Sequence, residues 1–222
     1  MRTSTKNANA PVVKTEALAE ASKPAEESQR VVDTATAASI LPRANVPDIG
    51  GAEDRDTWLT PRRIVETVRL ATGRGIDLDP ATLSSNPTAA REWYALQRGE
   101  DGLAIPWHSD RHGRPIKTVF VNPPYCNRAL PVWVGHAIQQ ANRYGLAVWM
   151  LIPAATETAY GQAALSAAQD VLFIRGRVRH MRPDGSDKGS PKFGSMMVAL
   201  GEASCAGMVD LGIVVNRREG AI

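Results

Sequence analysis

Cysteine is scarce in this sequence, and long apolar runs are missing. Only two of the 222 residues are cysteine, Cys126 and Cys205, and they stand far apart without a metal-ligand spacing. We therefore predict neither a disulfide framework nor a zinc site, and a reducing cytoplasm suits the chain. No apolar run approaches the ~20 residues of a membrane helix, and the N-terminus lacks the apolar core of a signal peptide. We expect a cytoplasmic protein without a membrane segment.

Aromatic residues are missing from the first 53 positions, where Ala, Ser, Thr, Glu, Lys and Pro dominate. Such a composition cannot bury enough apolar surface to offset its ordering entropy. We predict a disordered tail over residues 1–53; a helical interaction arm is the alternative. All five tryptophans follow, from Trp58 onward. We predict a folded domain over residues 54–203 and a C-terminal extension, weakly ordered or strand-forming, over residues 204–222.

Short apolar runs alternate with helical patterns along the predicted domain. Thr60 and Pro61 predict a helix start, with the Thr60 hydroxyl as cap and Pro61 at the first helical position. The helix should end near Gly73 and bury one apolar face, formed by Ile64, Val65, Val68 and Leu70. A second amphipathic helix is predicted over residues 131–144. Strands are predicted over residues 76–79, 118–122, 146–153, 171–181 and 195–201.

This order of elements predicts a doubly wound, Rossmann-like α/β sheet. In such sheets, ligands bind beyond the carboxyl ends of the strands. Asp79, Asn122 and Pro153 each stand at the end of a predicted strand. We expect these three residues to face one crevice.

The stretch "VFVNPPY", residues 119–125, follows a predicted strand with Asn122, Pro123, Pro124 and Tyr125. Neither proline has an N–H, and residues before proline are held extended, so a stiff loop exposes carbonyl acceptors beside the Asn122 side-chain oxygen. Such a loop suits an incoming NH₂ group, and the Tyr125 ring suits stacking on a planar base. A simple strand end, with Asn122 capping a turn, is the alternative.

Several motifs occur together with this loop: "WLTPRRIVETV", "IDLDPA", "EDGLAIPW", "VWMLIPAATETAY", "FIRGRVRHMRPDG" and "KFGSMMVAL". In this order they resemble the phage-type, Dam-like DNA N-6-adenine methyltransferases, which use S-adenosylmethionine. The resemblance covers about residues 56 to 201. One departure is that "DPATLSSNP" contains no glycine, whereas related methyltransferases usually carry a glycine-rich loop there.

The resemblance implies roles for individual residues. Asn122 and the Pro123 carbonyl would hold the target amine, Pro124 would shape the loop, and Tyr125 would stack on an adenine flipped out of the duplex. The implied cofactor contacts are Thr60, Pro61, Asp79, Pro80 and Asp101. Each has a simpler alternative: a helix cap for the Thr-Pro pair, a turn for the Asp-Pro pair, and a solvated loop carboxylate for Asp101. This chemistry requires no metal.

Basic residues cluster between positions 175 and 195, around a loop rich in Gly, Ser and Pro. We predict phosphate contacts from Arg175, Arg177, Arg179, Arg182, Lys188 and Lys192. A solvated hairpin is the alternative. The net charge of +3 and the pI near 9.0 fit a polyanionic partner, and equally an ordinary basic domain.

The sequence thus predicts methyl transfer to the exocyclic amine of adenine in DNA. Two alternatives stay open: methylation of a protein glutamine, whose amide also fits an NPPY loop, and a catalytically silent DNA-binding or anti-restriction module. The sequence sets no oligomeric state.

Overall fold

The structure of the protein is a computed structural model that describes residues 59–126, 128–180 and 191–217. The tail predicted over residues 1–53 lies outside the described residues, as do Arg182 and Lys188 of the predicted basic segment. Within the described ranges there are three α-helices, α1 (Arg62–Thr72), α2 (Ala129–Tyr144) and α3 (Ala159–Ala167). The strands are β1 (Leu78–Asp79), β2 (Glu92–Trp93), β3 (Thr118–Val121), β4 (Ala147–Pro153), β5 (Asp170–Ile174), β6 (Ser195–Gly201) and β7 (Gly212–Asn216).

These strands form one sheet in the order β2-β1-β3-β4-β6-β5-β7. From β2 to β4 all neighbours are parallel, whereas β6 runs antiparallel between β4 and β5, and β7 runs antiparallel beside β5. The predicted α/β fold is confirmed. The sequence reasoning did not predict that β6 runs antiparallel to β4 and β5, or that β7 runs antiparallel to β5.

Both faces of the sheet are buried, and the strand residues alternate between them. In β4, Val148, Met150 and Ile152 join a core cluster with α2. Its intervening residues, Trp149 and Leu151, join a second cluster with α1. Since successive strand side chains point to opposite faces, helices cover both sides and the sheet is doubly wound, as predicted.

Helix α1 differs in two details from its prediction. It begins at Arg62, Pro61 occupies the N-cap position, and no side chain caps the first turn. The prediction that the Thr60 hydroxyl caps this helix is therefore wrong. Leu70 is 82% exposed, so it is wrongly assigned to the apolar face, while Ile64, Val65 and Val68 are buried as predicted. The helix ends at Gly73, whose left-handed φ of 65° suits glycine.

Other boundaries also shift. Helix α2 begins at Ala129 rather than residue 131, and β5 ends at Ile174 rather than residue 181. Strand β2 and helix α3 have no counterpart in the prediction. Strand β7 pairs with β5 along Asp170–Ile174, so part of the predicted C-terminal extension belongs to the sheet.

A buried carboxylate joins β1 to β3. Strand β1 contributes one register pair with β3, Leu78 opposite Val119. Just before β1, Asp77 is 6% exposed, and its Oδ2 accepts hydrogen bonds from the backbone N–H groups of Lys117 (2.8 Å) and Thr118 (3.1 Å). The backbone N–H of Asp77 donates to the carbonyl oxygen of Thr118 at 3.0 Å. These bonds extend a strand pair that would otherwise be very short.

The chain packs closely against the end of β1 at Gly102. A Cβ atom added to Gly102 would lie 1.9 Å from the Pro80 carbonyl oxygen and 2.8 Å from its carbonyl carbon. Both are backbone atoms, so they cannot move aside cheaply. Glycine is therefore required at this crossing by space.

We predict that Gly102→Ala lowers the free energy of unfolding by about 1–3 kcal/mol, because the new methyl group forces the two segments apart. Gly207→Ala is the matched control, since an added Cβ there meets nothing within 4 Å. Urea unfolding of both variants and the parent measures the difference. Equal midpoints for the two variants would show that the contact with Pro80 is not rigid.

Candidate active site

Three strand ends meet at one edge of the sheet. Strands β1, β3 and β4 are parallel neighbours, so their carboxyl ends lie side by side. Asp79 ends β1, Asn122 directly follows β3, and Pro153 ends β4. Because neighbouring strands lie about 4.8 Å apart, these residues border one region, as the sequence predicts.

The Asn-Pro-Pro-Tyr loop connects β3 to α2. Pro123 is buried, while Asn122, Pro124 and Tyr125 are half-buried. The Tyr125 hydroxyl lies 2.7 Å from Asn122 Oδ1 and 3.3 Å from the backbone carbonyl oxygen of Leu151 in β4. The tyrosine thus contacts the same amide oxygen that the sequence reasoning assigned to a target amine. That reasoning did not foresee this hydrogen bond.

Two further rings hold the Tyr125 ring. His180 and Phe193 each make an edge-to-face contact with it, with ring centroids 5.8 Å away in both cases. His180 comes from the chain beyond β5, and Phe193 precedes β6, whose antiparallel direction puts its start at this same edge. Burial lowers the pKa of His180 to about 4, so its imidazole is neutral at pH 7.

Asp79 is a buried acid in this region, 2% exposed. Its Oδ2 accepts a hydrogen bond from the Thr88 hydroxyl at 2.8 Å, and its Oδ1 accepts one from the backbone N–H of Ala81 at 3.2 Å. Desolvation raises the pKa of Asp79 to about 6 despite these bonds. Among the described residues, no basic side chain forms an ion pair with it.

The loop that carries Asp101 is fixed on two sides. The crossing of Gly102 and Pro80 brings it against the end of β1. On its other side, the Trp107 indole N–H donates to the Gly102 carbonyl oxygen at 2.8 Å. The Trp107 ring in turn packs edge-to-face on the His136 ring of α2, with the ring centroids 4.9 Å apart. The Oδ1 of Asp101 accepts the N–H of Leu103 at 2.9 Å. The structure thus brings Asp101 and Pro80 together.

Thr60 and Pro61 lie just before α1, and both are half-buried. The backbone of the preceding residue, Leu59, lies beside the His180 imidazole. This contact places the Thr-Pro pair near the residue that packs on Tyr125.

The described part of the basic segment is mostly exposed. Arg175, Arg177 and Arg179 are exposed, whereas Val178 and His180 are buried. Lys192, on the far side of residues 181–190, is exposed as well. The arginines therefore face solvent on a segment that ends at the Tyr125 ring.

Sequence reasoning missed the residues that support the site: Thr88, Gly102, Trp107, Leu151, His180 and Phe193. All of them except Thr88 lie within the motifs quoted above, which is the signal that could have drawn attention to them. Within the described ranges no three His, Cys, Asp or Glu side chains form a group that could hold a metal ion. No described helix is long and apolar enough to cross a membrane.

A mixed, doubly wound sheet with an Asn-Pro-Pro-Tyr loop at its carboxyl edge defines a methyltransferase-like α/β protein. Comparison with known families narrows this class. The model of the Dam family, described as DNA N-6-adenine-methyltransferase, matches residues 50–220, and the chain belongs to that family. It is thus an adenine-specific DNA methyltransferase by family. No curated protein matches the chain.

We predict that Asp79 makes stability depend on pH. A carboxyl with a pKa of about 6 when folded and ~3.9 when unfolded binds more protons in the folded state between these values. Its contribution to the free energy of unfolding therefore falls as the pH rises from about 4 to about 6, and stays constant above. Asp79→Asn removes this titration.

Urea unfolding of parent and Asp79→Asn at pH 4.5, inside that window, and at pH 7, above it, measures the effect. Relative to the parent, the variant should gain about 2 kcal/mol between the two conditions. A stability difference that is the same at both pH values would contradict the raised pKa.

Proposed function

We propose that this protein transfers a methyl group from S-adenosylmethionine to the exocyclic N-6 amine of an adenine that is flipped out of DNA. The observation that carries the proposal is that Asp79 ends β1 and Asn122 directly follows β3, its parallel neighbour, at one edge of the sheet. Asp79 offers a buried carboxylate, which suits a cationic cofactor. Asn122 offers an amide oxygen, which suits an amine.

The cofactor fits the residues present. Asp79 is desolvated, and none of the described cations pairs with it. A positively charged ligand group beside it would relieve this cost. When bound, S-adenosylmethionine supplies a methyl group on a positively charged sulfur, together with a charged amino group. Asp79 and Pro80 would hold this ligand, with Asp101 on the adjoining loop.

Thr60 and Pro61 are proposed as further cofactor contacts. The helix-cap alternative for Thr60 loses its support, because Pro61 holds the N-cap position and no side chain caps α1. The nearby Leu59 and His180 put the pair on the side of the site where Tyr125 lies.

Asn122 and the Pro123 carbonyl would receive the two hydrogens of the target amine. Both prolines lack an N–H, so the loop presents acceptors without competing donors of their own. Binding both hydrogens favours a more tetrahedral nitrogen, whose lone pair would form the new N–C bond as the C–S bond of the methyl group breaks. The sulfur would keep that electron pair as a neutral thioether, and one amine hydrogen would leave as a proton to solvent. The Tyr125 ring would stack on the flipped base, which returns part of the few kcal/mol that flipping costs.

The exposed arginines at 175, 177 and 179, with Lys192, would contact phosphates. Since their segment ends on the Tyr125 ring through His180, phosphate contact and base stacking would occur close together. Arg182 and Lys188, which lie outside the described residues, remain predicted phosphate contacts. A protein with this activity would work in the cytoplasm of a bacterial host cell.

Labelled S-adenosylmethionine, offered with DNA and with glutamine-containing peptide, tests the proposal directly. We expect label in DNA, recovered as N-6-methyladenine after digestion. Label in the peptide would favour glutamine methylation, and label in neither would favour a silent DNA-binding module.

We predict that Asn122→Ala lowers the turnover rate on DNA by about 10²–10³-fold, because its oxygen bonds the amine more strongly as the nitrogen becomes tetrahedral. Cofactor affinity, measured by calorimetry, should stay near that of the parent. Asn142→Ala, at an exposed position of α2, is the matched control. Near-parent turnover by a folded Asn122→Ala protein would remove Asn122 from the chemistry.

We predict that replacing Arg175, Arg177 and Arg179 together by Ala weakens DNA binding and flattens its salt dependence by about three units of slope. The control replaces three exposed cations that precede β1, β3 and β4 and so lie at the opposite edge: Arg74, Lys117 and Arg143. Titrations of DNA binding at several salt concentrations measure both slopes. Equal slopes in the two triple variants would return the segment to the solvated-hairpin alternative.

A further inference from the structure

The Tyr125 hydroxyl has one proton and faces two acceptors. Asn122 Oδ1 lies 2.7 Å away and the Leu151 carbonyl oxygen 3.3 Å away. The shorter contact takes the proton, and the longer one offers a second position for it. A phenol bound in this way does more than present a ring for stacking.

The phenol is held firmly between these acceptors. Its ring is fixed by the edge-to-face contacts with His180 and Phe193. Leu151 lies within β4, paired with Met197 of β6, so its carbonyl belongs to the centre of the sheet. Burial raises the pKa of the Tyr125 phenol, so the hydroxyl keeps its proton at neutral pH and acts as a donor.

The two ends of an asparagine amide are nearly equal in size but opposite in hydrogen bonding. For the proposed reaction, the oxygen and not the NH₂ group must face the target amine. A donor fixed at 2.7 Å from Oδ1 favours that orientation before any substrate binds.

We infer that the Tyr125 hydroxyl is a positioning group, which holds the Asn122 oxygen ready for the target amine and shifts its hydrogen bond to the Leu151 carbonyl when the amine arrives. The inference rests on the proposed function. Because Leu151 can take the proton, the shift leaves no buried hydroxyl unpaired, which avoids the usual cost of a lost partner. It also leaves the Asn122 oxygen a better acceptor, since it no longer shares its electron density with the phenol.

Tyr125→Phe removes the hydroxyl and keeps the ring. We expect turnover on DNA to fall about tenfold, the worth of one hydrogen bond, while the cofactor Kd and the KM for DNA stay within twofold of the parent. Tyr144→Phe is the matched control, because Tyr144 ends α2 and stacks on His108 away from the loop.

A second background separates positioning from packing. Asn122→Asp replaces the amide by a carboxylate, whose two oxygens are equivalent, so there is no orientation to fix. If the hydroxyl acts by orienting the amide, Tyr125→Phe should cost less than about twofold in the Asn122→Asp background. The same tenfold loss in both backgrounds would overturn the inference, as would full turnover by Tyr125→Phe alone.

Nuclear magnetic resonance gives a readout that does not need activity. In ¹⁵N-labelled protein, the side-chain NH₂ signals of Asn122 are identified by their loss in Asn122→Ala. We expect Tyr125→Phe to shift or broaden that pair, and Tyr144→Phe to leave it unchanged. An unchanged pair in Tyr125→Phe would overturn the inference. If the parent methylates no adenine, the proposed function fails, and this comparison still decides whether the phenol positions the amide.

Discussion

The site depends on the register between β1 and β3, and a buried carboxylate sets it. Strand β1 has two residues, too few for its ladder alone to define an alignment. Asp77 supplies what is missing, because its carboxylate accepts from two successive backbone N–H groups at the start of β3. Its partner Arg91 lies 3.4 Å away and leads into β2. With this alignment fixed at the amino ends, Asp79 and Asn122 must emerge together at the carboxyl ends.

The second half of the site comes from the antiparallel strand. Since β6 runs opposite to β4 and β5, its first residue, Ser195, pairs with Pro153 at the carboxyl end of β4. Phe193, just before β6, therefore lies where the parallel strands end, and His180, which follows β5, lies at the same edge. Both rings meet Tyr125. An all-parallel sheet would have sent the segment before β6 to the opposite edge.

Short continuous apolar runs allowed β3, β4 and β6 to be predicted within a residue or two, because buried strands need continuous apolar sequence. Strand β2 was not predicted, because two residues carry no pattern. Helix α3 was not predicted either, because its sequence, AYGQAALSA, has little polar contrast between its faces. The four loop residues and Asp79 could be singled out from strand ends and prolines. The ring contact of His180 with Tyr125 could not, because only the folded sheet brings these two residues together. The phenol–amide bond joins residues of one loop, and predicting it requires the conformation of that loop.

An acid with unfavourable burial, Asp79, lies at the same edge of the sheet as a loop of hydrogen-bond acceptors. Asp79 is desolvated enough to raise its pKa to about 6, and carboxyl groups with strongly perturbed pKa values cluster at functional sites. The Asn-Pro-Pro-Tyr loop, next to a buried strand, carries carbonyl acceptors and lacks backbone donors at its two prolines. Under the proposed function, a cation would offset the burial of the carboxylate, and an NH₂ group would bind the acceptors of the loop. A rigid sheet would then be a condition for the chemistry, and the Asp77 and Gly102 contacts fix the chain on either side of β1.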